Sequence, residues 1–325
     1  MNILLTGGAG FVGINLVRSL AARDGVRVIA ADVRAWNAAG ARFLAPVQTR
    51  LSFAPLDVRD GDALIDLVRR EQITHIVHAA AITASEEQEY GRAAEVVGVN
   101  LGGAINALNA ALTCDHVERA MLISSSGVYG APKRPTNRLQ RETGSLDLSN
   151  LYAITKHSAE LLAARYARLA GKPIASLRLS AVYGPLEQPS ASRPNTSAMQ
   201  RLLAALRGRR PVRVAGPAVR RDWTYAADIG LAVFALLDAP VWRHSVYNVS
   251  CGVAVRFDEV VAAFAEHGLA ASWIDDSDQA DIAMRPHQER AALDITRLCR
   301  DTTYRPNRDL RASLAAWIAD EAAIE

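Results

Sequence analysis

The chain has 325 residues, 50% of them hydrophobic and 22% charged, with a formal net charge of +3. That length and apolar content suit one large α/β domain with a smaller appendage, and they exclude gross disorder. The 37 basic residues include only three lysines, Lys133, Lys156 and Lys172, and no basic block long enough for a nucleic-acid arm. The densest patch, Arg207 to Arg213, reads as a solvated helix end and loop. Cys114, Cys251 and Cys299 lie too far apart for a disulfide framework or a metal knuckle. We therefore expect a reducing, cytoplasmic setting and no metal. The strand pattern starts at residue 3, so no signal peptide is expected, and no uncharged apolar run is expected to reach transmembrane length.

In chain order, short apolar runs at Ile3–Thr6, Val26–Ala31, Leu51–Leu56, His75–Ala79, Arg119–Ser124 and Ile174–Leu179 read as buried parallel strands. Helix patterns alternate with them: Gly10–Arg23, Asp60–Arg70, Glu89–Leu112 and Asn150–Leu169. This alternation predicts a doubly wound parallel α/β sheet with right-handed crossovers and a ligand crevice at the strands' carboxyl ends. After Gly184 the rhythm breaks. Residues 185–197 read as a loop. A helix at Ser197–Arg207, a strand at Val212–Ala215 and a helix at Asp228–Leu237 follow. Then come a strand at Val246–Val249 and helices at Phe257–Glu266 and Leu310–Ala319. Residues 1–180 are expected to form a dinucleotide-binding Rossmann domain. Residues 181–325 are expected to form a smaller α/β substrate-binding portion, with segments that can interleave.

The first strand runs into Thr6-Gly7-Gly8-Ala9-Gly10-Phe11-Val12-Gly13, and a helix pattern follows. Gly7 permits the tight turn, Gly10 lets a pyrophosphate approach the backbone, and Gly13 lets the helix pack closely on the sheet. The first helical N–H groups, at Phe11 and Val12, would face the phosphates. Asp32 ends the second strand, where a carboxylate accepts hydrogen bonds from ribose hydroxyls and repels a 2′-phosphate. NAD is therefore expected over NADP. Arg34, two residues on, pulls the other way.

Further motifs follow in order. They are Asp57-Val58, His78-Ala79-Ala80-Ala81, Asn100, Ser124-Ser125-Ser126-Gly127-Val128-Tyr129-Gly130, Tyr152-x-x-x-Lys156, Val182-Tyr183-Gly184-Pro185 and Arg221-Asp222-Trp223. With the glycine turn they make the chain resemble the extended short-chain dehydrogenase/reductase family, the NAD-dependent (nucleotide-)sugar epimerase/dehydratase group. The resemblance covers nearly the whole chain. It implies that Asp57 and Val58 contact adenine and that Ala79, Ala80 and Ala81 line the cofactor near its pyrophosphate and ribose. Asn100 falls among the cofactor-binding positions. His75 and His78, three apart, read as structural and not as metal ligands.

Tyr152 and Lys156 share one helix face, one turn apart. A phenol is too weak an acid for base catalysis at neutral pH, and a nearby ammonium is expected to lower its pKa. Tyr152 would then take a substrate proton while hydride leaves for NAD, and Lys156 would hold the nicotinamide ribose. Ser125 would hold the reacting oxygen, with Ser126 as the alternative. Two departures narrow the chemistry that the resemblance implies. Ser126 and Gly127 stand where the family's dehydratases carry Asp-Glu, which disfavours 4,6-dehydration. Ala181 stands where nucleotide-sugar enzymes often carry Asn. Arg221 and Arg285, in contrast, match the arginines that meet a nucleotide diphosphate. The expected activity is a nucleotide-sugar 4-epimerase. The alternative is a net dehydrogenase of a sugar, sugar acid or other small hydroxylated compound. The resemblance implies a homodimer paired through the long Ala- and Leu-rich helices 89–112 and 150–169, and neither nucleic acid nor membrane is expected as partner.

Overall fold

The computed structural model describes residues 1–84, 86–132, 137–307 and 309–324; Lys133 lies outside them. Strand–helix units come first: β1 (Asn2–Thr6), α1 (Phe11–Ala21), β2 (Arg27–Asp32), α2 (Ala38–Leu44), β3 (Leu51–Pro55), α3 (Gly61–Arg70) and β4 (His75–His78). The chain continues through α4 (Glu86–Val97), α5 (Gly103–Thr113), β5 (Arg119–Ser125), α6 (Leu151–Ala170) and β6 (Ile174–Leu179). The caps follow from local chemistry. The side chains of Asp60 and Asn150 accept the backbone N–H groups of Ala63 and Ala153. Gly171 ends α6 in the left-handed conformation.

Beyond β6 the chain leaves the sheet through β7 (Ala181–Tyr183), α7 (Ala198–Arg207), β8 (Val212–Ala215), β9 (Arg220–Tyr225) and α8 (Ala226–Asp238). It then returns as β10 (Val246–Val249), which pairs parallel with β6. The main sheet is seven-stranded in the order β10-β6-β5-β4-β1-β2-β3, and every pair is parallel. The remaining elements are β11 (Ala254–Arg256), α9 (Phe257–Ala265), β12 (Ala271–Trp273), β13 (Ile282–Ala283), α10 (Thr296–Asp301) and α11 (Leu310–Ile324). Two three-stranded sheets, β11-β9-β7 and β12-β8-β13, build the smaller portion.

Side chains alternate through the main sheet. Ile3 and Leu5 join α1, α2 and α8 in one core. Leu4 joins α3, α5 and α6 in the other. Both faces are covered, which is why the strands read as unbroken apolar runs. A third core gathers Tyr183, Met199, Trp223, Phe264 and Trp317 in the smaller portion.

The single helix expected over 89–112 is divided. Between α4 and α5 lies one π-turn, Gly98–Gly102. Gly103, just after it, lies so near Val58 that a Cβ there would meet Cγ2 at 2.7 Å. The π-turn rotates Asn100 inward, where its amide accepts the Ile82 N–H at 2.7 Å and donates to the Ile82 carbonyl at 3.0 Å. By length and composition the stretch Gln88–Thr113 is apolar enough to cross a membrane, contrary to the expectation. Its α5 part packs on the sheet, with Ala104, Ala107, Leu108 and Ala111 buried. The strand β9 was not expected, because Arg221 and Asp222 interrupt its apolar pattern. Asp222 is nevertheless buried, and its carboxylate accepts from the Leu293 N–H at 2.9 Å.

Candidate active site

β1 is flanked by β2 on one side and β4 on the other. The strand order reverses there, and a crevice opens at the strands' carboxyl ends. It is a cleft of about 630 Å³ that continues over the smaller portion.

Its floor is the glycine turn. Gly7 has φ +71°, and a Cβ on it would strike the Ala80 nitrogen at 2.6 Å. A Cβ on Gly13 would meet the Gly7 carbonyl oxygen at 1.9 Å. Gly10 caps α1 with no side-chain hydrogen bond, which leaves the first-turn N–H groups facing the cleft beside Phe11 and Val12. Such a helix end is a ready anion site. At the far end the Asp32 carboxylate accepts the Ala9 N–H at 3.1 Å and keeps an edge on the cleft. Asp57 and Val58 line the same end, with Arg34 and Arg59. A hydrogen bond from Arg59 holds the Asp57 carboxyl below its usual pKa, although partial burial opposes it. Ala79, Ala80 and Ala81 form the wall behind. The bare turn, the free N–H groups and the ribose-facing carboxylate fit an adenine dinucleotide.

Asn100 lies behind this wall and not on the cleft. Its amide is spent on Ile82 and on Thr155 Oγ1 at 3.1 Å, so it braces the wall against α6. His78 is also behind the wall. It shares a 2.8 Å hydrogen bond with Thr6 Oγ1, and burial pushes its pKa down to about 3. No cluster of metal-ligating groups exists among the described residues.

Tyr152, Lys156, Ser125 and Ser126 meet where β5 ends over the N-terminal turns of α6. Ser125 Oγ accepts the Gly127 N–H at 3.0 Å. Thr83, which no sequence motif marks, lines the cleft with them. Lys156 Nζ lies 5.7 Å from the Tyr152 ring centre and donates to the Ile123 carbonyl at 2.8 Å. Burial lowers its pKa to about 8, with Glu160 pulling it back up. The expectation of a lowered phenol pKa is not met. Burial raises Tyr152 above its ordinary value, and Lys156 is turned toward Ile123.

Arginines dominate the cleft's other end. Arg221 projects from β9 with a buried Nε that has no hydrogen-bond partner. Burial, then repulsion from Arg290 and Arg193, lowers its pKa to about 10. Arg290 lines the cleft beside it, because its N–H donates to the Arg220 carbonyl at 2.9 Å and stitches this segment to β9. Arg285, the residue the sequence pointed to, is not on the cleft. It is exposed, and its guanidinium pairs with Asp278 at 2.6 Å. Arg193, from the segment read as a loop, enters the cleft over the Phe11 ring, with Glu187 as its partner at 2.6 Å.

A seven-stranded parallel sheet, a glycine turn at its switch point and a Ser–Tyr–Lys set beside it define a dinucleotide-dependent enzyme of the Rossmann class. The chain belongs to the NAD dependent epimerase/dehydratase family, whose model matches residues 3–250. NAD is accordingly its cofactor. Among curated relatives, a dTDP-glucose 4,6-dehydratase of Mycolicibacterium smegmatis is 30% identical over 77% of this chain and 73% of that one. A trifunctional UDP-glucose 4,6-dehydratase/epimerase/reductase of Arabidopsis thaliana is 27% identical over 76% of this chain, which spans only 37% of that protein's length. Among solved structures, UDP-glucose 4-epimerase of Thermus thermophilus in complex with NAD is similar across 99% of both chains, with a TM-score of 0.80 and 26% identity.

Proposed function

We propose that this enzyme interconverts the 4-epimers of a nucleotide sugar. The observation that carries the reading is the pair Arg221 and Arg290 lining the cleft, with the Arg221 Nε buried and short of a partner and the Arg290 Nη1 held by the His287 and Glu289 carbonyls. Two converging guanidinium groups suit the diphosphate of a nucleotide sugar. The sugar would then extend toward Tyr152. Tyr152 takes the proton of the 4-hydroxyl and returns it, while the Ser125 hydroxyl donates to the same oxygen. Lys156 holds the nicotinamide ribose and favours the phenolate. Bound NAD supplies the hydride acceptor and donor. Residues from 181 onward serve chiefly as the substrate-binding part.

Dehydration needs a general acid beside the reacting carbon. The carboxylates among the described cleft-lining residues are Asp32, Asp57 and Glu95. Asp32 and Asp57 serve the adenosine end, and Glu95 is held by Arg92 at 2.8 Å. Ser126 and Gly127 offer no acid, so the epimerase reading stands ahead of the 4,6-dehydratase activity named for several relatives.

A second reading, net oxidation of a smaller sugar or sugar acid, draws on Ala181. It lines the cleft with only a methyl group where a substrate-binding amide is common in nucleotide-sugar enzymes of this kind. Incubation with UDP- and dTDP-sugars and with free sugar acids, following both epimer formation and NADH absorbance, separates the two. Epimer without NADH accumulation is the expected result. Steady NADH without epimer overturns it.

A homodimer through α4 and α6 completes the proposal. These helices pack together, and Tyr90 and Val97 on α4 stand exposed with Ile154 and Leu161 on α6. Ile154 and Leu161, seven residues apart on the continuous helix α6, form one stripe, while Tyr90 and Val97 lie on either side of the kink at Arg92.

A further inference from the structure

We propose that Arg193 is a cofactor-binding residue: it brings a guanidinium from the 185–197 segment to the pyrophosphate site at the start of α1, and so sets how firmly NAD is held. Phe11 is the first residue of α1, at the end where the first-turn N–H groups face the cleft. The Arg193 guanidinium carbon lies 5.4 Å from the centre of the Phe11 ring, and both residues line the cleft. Its Nε and Nη2 donate to Glu187 Oε1 at 3.2 and 2.6 Å. Those bonds use one edge of the fork, and Nη1 makes no hydrogen bond among the described residues. The helix end offers a diphosphate only a partial charge, whereas a guanidinium offers a whole one in a geometry suited to phosphate.

Glu187 is a bracket for this arginine. Its carboxylate is fully buried and also accepts the Ser197 N–H at 2.9 Å and the Ser197 hydroxyl at 2.6 Å, while the Arg193 side chain stays 30% exposed. The backbone around Arg193 is sewn to the cofactor-binding half. Asn15 of α1 donates to the Pro185 carbonyl at 2.9 Å. The Thr83 N–H donates to the Ser192 carbonyl at 2.7 Å, and Arg92 donates to the Ala191 carbonyl at 2.7 Å. Ser190 and Arg193 exchange backbone hydrogen bonds at 2.9 and 3.1 Å, closing a tight turn. The guanidinium is thus placed before any anion arrives, so binding costs little ordering.

The inference rests on NAD as the cofactor and not on which sugar is bound, so its failure leaves the epimerase reading standing. Its test is the exchange of bound NAD for labelled NAD in the loaded protein, with UDP binding measured beside it. Arg193→Met keeps the length of the side chain and removes the charge. It is expected to speed NAD exchange roughly ten- to hundredfold, the size of one lost hydrogen bond to a charged group, and to leave UDP affinity unchanged. Glu187→Gln combined with Arg193→Met removes the carboxylate that the single variant leaves unpaired, and it should exchange NAD as fast as the single variant. Unchanged exchange in Arg193→Met overturns the proposal. So does a return to the original rate in the double variant, which would make Arg193 only the counter-ion of Glu187. A loss of UDP affinity as large as the effect on NAD overturns it as well.

Discussion

Lys156 donates to the Ile123 carbonyl oxygen at 2.8 Å from one helical turn beyond Tyr152. The ammonium is thus anchored to the end of β5, and its charge sits in a buried place where it is costly to keep. Burial brings its pKa down to about 8, and the Glu160 carboxylate resists that fall. Glu160 is itself held by Arg178 at 2.6 Å and by Ser124 at 2.5 Å.

The sign of the pH dependence follows. As pH rises through about 8, Lys156 loses its proton, and with it the charge that the proposed mechanism needs beside the nicotinamide ribose and the phenolate. The value of kcat/KM should fall on the alkaline side with a limb near that pH. Glu160→Gln removes the group that holds the ammonium up, so the limb should move to lower pH. A limb that stays in place in Glu160→Gln contradicts this account. Tyr152→Phe should cost roughly 10²- to 10⁴-fold in rate, the range for a lost acid–base group.

The arginine assignment can be tested by substitution in three places. Arg221→Ala and Arg290→Ala should each raise KM for a nucleotide sugar. Hydrogen bonds to charged groups contribute about 1.5–3 kcal/mol, or roughly ten- to hundredfold. Arg285→Ala should leave KM within a factor of about two, since an exposed ion pair contributes little. A large effect at Arg285 and none at Arg290 would reverse the assignment.

Two buried histidines predict acid sensitivity. Burial takes His78 to about 3 and His75 to about 4. The folded chain leaves both neutral, whereas the unfolded chain protonates them near pH 6.5. Their contribution to stability is complete above pH 6.5 and is lost as pH falls toward 4 and then 3. Asp228, raised to about 6 by burial, has the opposite sign. Its contribution is present below its ordinary value and is lost as pH rises through about 6, so one group opposes two. Tm should drop between pH 7 and pH 5, with a shallower slope in His78→Gln. A flat Tm over that range refutes the reading.

Quaternary structure gives a separate check. Ile154→Glu with Leu161→Glu places two charges on the exposed stripe of α6 without touching the cleft. Light scattering should report a dimer for the unchanged protein and a monomer for the double variant. A monomer in both cases removes the proposed interface.

The sequence exposed most clearly the features that depend on backbone shape and fixed spacing. The glycine turn was legible because only glycine tolerates the approach of Ala80 to Gly7 and of Gly7 to Gly13. Tyr152 and Lys156 were legible because a helix converts a spacing of four into one face. Thr83, Arg193 and Arg290 were not, because loops and strand pairings far apart in sequence bring them to the cleft. The stitch from Arg290 N–H to Arg220, for example, has no local pattern. Arg285 misled because the chain is rich in arginine, and a match before a proline is easily met. Asn100 was placed on the cofactor by motif alone. The π-turn that rotates it toward Ile82 depends on packing near Val58, which no period in the sequence reveals.

The return of Val246–Val249 to the outer edge of the main sheet makes the intervening 180–245 stretch a bridge fastened at both ends to one rigid platform. Such a bridge can rock over the cleft, but it cannot detach. A proteolytic nick or truncation near residue 180 would therefore not release a free cofactor-binding module. Loss of the downstream chain would strip β10 from the sheet, leave β6 paired with β5 alone and expose its outer edge. The two parts of this enzyme must consequently fold, persist and be cleared as one unit.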